Sequence, residues 1–186
     1  MSKQKISAQL LLGPVPAALI SCGRDTGEKN IITLAWVGVV NSSPPMVSIA
    51  VRPNRHSHAI IADTGEFVVN IPTVEQVDLV DGCGTHSGKN INKFTHFGVT
   101  PVMGTLKYAP LIDECPLNME CVVEHTLALG SHSLFIGRVV QAYADESATG
   151  EKGKVDFNRC RLLGYSNGQY LSVTPLDLKL GYTLKK

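Results

Sequence analysis

The chain has 186 residues, 44% of them hydrophobic and 18% charged, with a formal net charge of +1. That composition excludes a disordered chain, and so small a net charge excludes a large electrostatic grip on nucleic acid. No linker-like stretch interrupts residues 1–186, so one domain with a substantial core is expected. Five cysteines (Cys22, Cys83, Cys115, Cys121 and Cys160) form no C-x-x-C pair, which points to reduced thiols rather than a disulfide framework or zinc site. The apolar run Leu10–Leu12 is cut by Gly13-Pro14, too soon for a signal peptide, and no stretch reaches the length of a membrane span. A cytoplasmic protein is expected.

Ala17 to Cys22 reads as a first strand, and Gly23 to Lys29 as a polar hairpin turn. From Asn30 to Val40 almost every position is apolar. Alternation puts Ile32, Leu34, Trp36 and Val40 on one side and Thr33, Ala35, Val37 and Val39 on the other, so neither face is written for water. Such a strand belongs inside a barrel, under helices or in a subunit interface. Asn41-Ser42-Ser43-Pro44-Pro45 turns the chain. Met46 to Arg52 alternates again, with Val47, Ile49 and Val51 opposite Ser48, Ala50 and Arg52.

That strand leads into Arg52, Arg55, Ser57 and His58, where a helix is predicted over His58–Thr64, capped by Asn54 or Ser57 and stopped by Gly65. Guanidinium groups, a hydroxyl and free N–H groups at a helix start make a phosphate site; the alternative is a solvated turn with its arginines in water.

Phe67 to Ile71 is a strand ended by Pro72, and Thr73-Val74-Glu75-Gln76 is a capping box for a helix that runs to about Val80 and closes at Gly82-Cys83-Gly84. Cys83 and His86 are too few for a metal site. Ser87 to Phe94 reads as a helical turn with Lys89 and Lys93 on one face, either at a ligand or in solvent. Leu117–Leu129 and His132–Tyr143, joined at Gly130-Ser131, form the clearest hairpin. His132 stands at its turn. Residues 144–155 are the most polar stretch and read as a mobile loop. Arg161 to Tyr170 is a last hairpin, and the tail Leu176 to Leu184 is apolar enough to pack on a partner subunit.

Taken in order, Asn30-x-x-Thr33-x-Ala35-Trp36, Ser43-Pro44-Pro45, Ser48-x-Ala50-x-Arg52, Arg55-x-Ser57, Phe67-Val68-Val69-Asn70 and Gly88-Lys89-Asn90-Ile91-Asn92-Lys93-Phe94 resemble the flavin reductase-like, FMN-binding split-barrel family. The resemblance is greatest to flavoredoxin-type members and spans Leu12 to about Tyr170. It implies a mainly β fold: a six-stranded antiparallel Greek-key split barrel with a few flanking helices, forming a homodimer with FMN near the interface. It further implies that Asn30, Thr33, Leu34, Ala35 and Trp36 border the flavin ring system, and that Ser48, Ala50, Arg52, Arg55, Ser57, His58 and Ala59 line the cofactor site. Lys93, with Lys89 as helper, is implied near the FMN phosphate. His132 and Tyr165 are implied beside the ring or ribityl chain.

Neither G-x-G-x-x-G after a strand nor a P-loop occurs, and no nucleophile elbow, HExxH or paired carboxylates are present. This fits a chain that leaves the chemistry to its cofactor. The readings open at this point are a flavin reductase using NADH or NADPH with FMN as prosthetic group or substrate, a flavoredoxin-type carrier fed by a redox protein, a flavin-storing barrel, and, more remotely, a haem binder.

Overall fold

The computed structural model describes residues 2–176, 178 and 180–184. Short strand β1 (Val15–Pro16) precedes β2 (Ala18–Gly23), β3 (Lys29–Leu34), β4 (Val37–Ser42), β5 (Pro45–Val51) and helix α1 (His56–Thr64). Then come β6 (Glu66–Ile71), α2 (Val77–Thr85), α3 (Lys93–Phe97), β7 (Pro101–Val102) and β8 (Leu111–Ile112). The long hairpin β9 (Leu117–Ala128) and β10 (Ser133–Ala144) and the small hairpin β11 (Leu163–Ser166) and β12 (Gln169–Ser172) complete the chain.

The main sheet is antiparallel, seven-stranded and ordered β3-β2-β6-β9-β10-β5-β4. This corrects the expectation of six strands closed as a barrel. The predicted Asn30–Val40 strand breaks at Ala35-Trp36, so its halves become the two edges of the sheet. At the break the Trp36 carbonyl accepts from the Ala50 amide at 3.0 Å, and this corner curls the sheet without closing its ladder.

The concave face holds the main core: Ile20 of β2, Ile32 of β3, Ile49 of β5, Phe67 of β6 and Phe135 of β10, with Ile60 and Ile61 of α1 inserted. Each such buried side chain contributes about 1.5–3 kcal/mol through lost apolar surface. Gly137 makes room for Phe67, whose ring atoms lie 2.6 Å from where a Cβ would stand. The opposite face of β2 and β3 packs Leu19 and Ile31 against Val80 and Cys83 of α2 and Phe94 of α3. Burial on both faces explains why all of β2 is apolar or small. β4 is different: Val39 is 82% exposed, so the distal half of the predicted two-faced strand has an open face in the single chain.

Several local readings change. α2 does not stop at Gly82 but runs to Thr85, because Gly82 lets the Phe97 ring approach to 2.5 Å of a would-be Cβ and Gly84 packs on Thr33. The polar 144–155 stretch contains two 3-10 turns, and Ala148 is buried beside Leu117 and Cys160. The αL stop at Gly65 (φ 68°) and the 2.9 Å bond from the Thr73 amide to Gln76 Oε1 match the sequence reading. Of the apolar tail, Leu176, Leu178, Leu180 and Leu184 are exposed, while Asp177 and Lys179 lie outside the described residues. All five cysteines are free and buried. Burial pushes the Cys22, Cys115 and Cys121 thiols up to about 12 and Cys83 to about 11. Among the described residues no helix is long and apolar enough to cross a membrane.

Candidate functional site

β5 leaves the sheet at Val51, and a turn closed by the Arg55 amide on the Arg52 carbonyl (3.0 Å) starts α1. Arg55 is the N-cap in extended conformation, no side chain caps the helix, and the first turn holds no acidic residue. Neither Asn54 nor Ser57 caps, contrary to the sequence reading. Ser57 is fully buried and instead accepts from Asn30 Nδ2 at 2.8 Å. The positive end of α1 is therefore open to an outside acceptor.

It opens into a cavity of about 110 Å³ whose polar lining includes Asn30, Arg55, Ser57 and Lys93. Lys93 is only 2% exposed, and its Nζ donates to the carbonyls of Ile31 (2.7 Å) and Cys83 (2.6 Å). Burial holds its ammonium below the usual lysine range, and the Arg55 charge adds to that. Among the described residues the one buried side-chain polar atom without a partner is Asn30 Oδ1. Gly88 lies across from it: a Cβ there would stand 2.2 Å from that oxygen. A guanidinium, an amine, a hydroxyl and an uncapped helix start converge on a space of anion size, which is the donor set a phosphate monoester takes.

Beside the cavity, His56 Nε2 lies 2.6 Å from Glu28 Oε1, and Arg24 ties Glu28 (2.9 Å) to Asp63 (3.0 Å) on α1. This network fixes the α1 start against the β2–β3 turn.

One turn along α1 the site changes character. His58 Nε2 lies 2.9 Å from Ser133 Oγ, and the imidazole packs edge-on against Phe135 at 5.3 Å. Burial lowers the His58 pKa. Next to Ser133, His132 stacks on Trp36 with ring centroids 6.0 Å apart and planes 19° from parallel. Trp36 is 50% exposed, so the pair forms a flat aromatic shelf open on one side. Ala50 carries the β5 end of the Trp36 corner, and Ser48 Oγ donates to the Gly38 carbonyl at 3.4 Å.

Of the residues named from sequence, the fold thus gathers Asn30, Arg55, Ser57 and Lys93 at the cavity and Trp36, His58 and His132 at the shelf. Others stand apart. Leu34 is in the concave core, Thr33 donates to the Val80 carbonyl, Ala35 is half-buried at the corner, and Arg52 and Ala59 are exposed outside the cavity. Lys89 does not share a helical face with Lys93, because α3 begins only at Lys93 and Lys89 lies exposed in the preceding turn. Tyr165 belongs to the small β1-β11-β12 sheet and packs edge-on against Tyr170 (5.9 Å), neither lining the cavity nor stacking on Trp36. Gly84, Gly88 and His56 line the cavity without having been named as site residues, the glycines because only their missing side chains matter there. Cys83 and His86 have no further ligand: among the described residues no group of three or more metal-binding side chains exists.

The site thus sits on a curled antiparallel sheet, with a polar cavity at the start of its first helix. The family model described as "Flavin reductase like domain" matches residues 12–174, and the chain belongs to the flavin reductase-like family. The flavoredoxin of Desulfovibrio vulgaris (Miyazaki F) superposes with a TM-score of 0.90 at 29% identity, covering 96% of this chain and 97% of that one. A flavoredoxin from Methanosarcina acetivorans gives 0.89 at 33% identity, over 99% and 100% of the two chains. An NADH-dependent FMN reductase of Streptomyces nodosus subsp. asukaensis is 29% identical over 136 residues, 73% of this chain and 71% of that protein.

Proposed function

We propose that the chain binds FMN and moves electrons through it, accepting hydride from NADH or NADPH as a flavin reductase does. The family and its reductase and flavoredoxin relatives support a flavin-related oxidoreductase or electron carrier. The observation that carries the FMN reading is the cavity at the α1 start, lined by Arg55, Ser57, Lys93 and Asn30, whose Oδ1 has no partner. Arg55 and Lys93 would neutralise a terminal phosphate there, and Asn30 Oδ1 would accept from a ribityl hydroxyl. Trp36 and His132 would offer flat surface to a ring system, and His58, held by Ser133, would fix the wall between the two ends. Bound there, FMN supplies the hydride and single-electron transfer that side chains cannot.

The flavoredoxin-type carrier is the second reading, favoured by the half-exposed shelf, which leaves room for a redox protein to approach. Exposed apolar side chains at the corner (Trp36), on β4 (Val39 and Val40) and on the β9–β10 hairpin (Leu127 and Leu129) suit cover by a second copy of the chain, so we assign a homodimer. Five thiols without a disulfide support a cytoplasmic setting.

Titrating the protein with FMN and then adding NADH or NADPH without oxygen tests the proposal. Quenched, retained yellow flavin that bleaches at a rate useful for turnover supports the reductase. Retained flavin that only a reduced protein bleaches selects the carrier, and flavin reduced by no donor selects storage. Failure to bind FMN in the titration overturns all three.

A further inference from the structure

Lys93 is a buried amine with no carboxylate opposite it. Its Nζ donates to two backbone carbonyls, Ile31 O and Cys83 O, and among the described residues it forms no ion pair with an Asp or Glu. A neutral amine has two N–H groups, and these two carbonyls use both. An ammonium has a third donor, which finds no hydrogen-bonding acceptor among the described residues. The amine lines the anion cavity, so a ligand oxygen there supplies the missing acceptor and the missing negative charge together.

We propose that Lys93 takes up a proton when a phosphate-bearing ligand enters this cavity, so that binding of a dianionic phosphomonoester is proton-linked. The inference rests on the FMN reading of the same site and adds its regulation: affinity set by pH through one buried amine. The proton comes from solvent and converts –NH2 to –NH3+ against the ligand oxygens.

The groups facing Lys93 from each neighbouring element are accounted for. From β2 and α2 come the Cys22 and Cys83 thiols, pushed up to about 12 and about 11 by burial, which hold their protons. Asn30 of β3 is neutral. Arg55 at the α1 start adds a second positive charge, His56 beside it is engaged by Glu28, and His86 follows α2. In the free protein the surroundings therefore disfavour the ammonium, in line with the lowered pKa of Lys93. With a dianion bound the balance reverses. Affinity is highest at lower pH and falls as pH rises, by up to about tenfold per unit between the free and bound ionisations.

Calorimetry of the apo-protein with FMN at about pH 8 to 9.5, above the second phosphate ionisation near 6, reads the effect in two buffers of different ionisation enthalpy. Uptake approaching one proton, absent with riboflavin and absent for FMN in Lys93→Arg, is the expected result. Tight FMN binding with buffer-independent heat overturns the proton linkage while leaving the function standing. Uptake that persists in Lys93→Arg overturns the assignment to Lys93. No FMN binding at any pH removes the FMN reading itself. The wild-type calorimetry decides the linkage even where a variant fails to fold.

Discussion

Around the anion cavity, Asn30, Ser57 and Lys93 are 3%, 0% and 2% exposed, whereas Trp36 on the shelf is 50% exposed and Val39 beyond it 82%. In the first region the polar groups are held by backbone carbonyls of β3 and α2 and by Ser57 at the start of α1. The second region is an open surface that carries exposed apolar side chains. Charge must be positioned before a ligand arrives, because reorganising buried polar groups costs more than it returns. Apolar area is indifferent to direction, so a second surface can finish it.

Substitutions separate the two regions by what each disturbs. Val39→Asp sets a charge on the apolar side and is expected to cost several kcal/mol if that side is covered by a second copy. Sedimentation should show a shift to monomer, and an unchanged association state would make the exposed side irrelevant to assembly. Arg55→Ala removes a charge-assisted contact of about 1.5–3 kcal/mol, so the FMN dissociation constant should rise roughly 10- to 150-fold while riboflavin is unaffected. Fluorescence titration checks both ligands, and an equal loss for the two would place Arg55 away from the phosphate.

Gly88→Ala drives a methyl group into the Asn30 amide and should weaken FMN by about 1–2 kcal/mol. In an Asn30→Ala background the same change should do almost nothing, and additive losses in the double-mutant cycle would remove the coupling. Trp36→Ala should cost about 0.5–1.5 kcal/mol for FMN and riboflavin alike, because only stacking is lost. Selective loss of FMN would be the contrary result.

The smallest effect concerns His58. Its folded pKa lies below that of the unfolded chain, so the unfolded state binds the proton more readily. Stability is complete above the unfolded value near 6.5 and declines as pH falls through the folded one. Thermal melts of His58→Gln should lose that part of the acid slope, and an identical slope would clear His58 of any share in it.

Strands and turns were readable where side-chain alternation marks burial, as in β5 and the β9–β10 hairpin, or where a short apolar run ends at a proline, as in β6, and so was the gathering of Arg55 and Ser57 at a helix start. Three features were not. The break at Ala35-Trp36 leaves the apolar pattern unchanged, since interior, corner and interface positions all favour the same residue types. The continuation of α2 through Gly82 and Gly84 depends on Phe97 and Thr33, which are distant in sequence. The burial of Lys93 follows from carbonyls on β3 and α2 that no local spacing announces.

The sequestered cysteines bear on how such a chain endures its own redox work. Reduced flavins hand electrons to dioxygen and release peroxide, which attacks cysteine sulfur where it is both ionised and accessible. Here every sulfhydryl is shut inside and kept protonated, four of them at values of about 11 or 12, so none of the thiols is a ready target for such an oxidant.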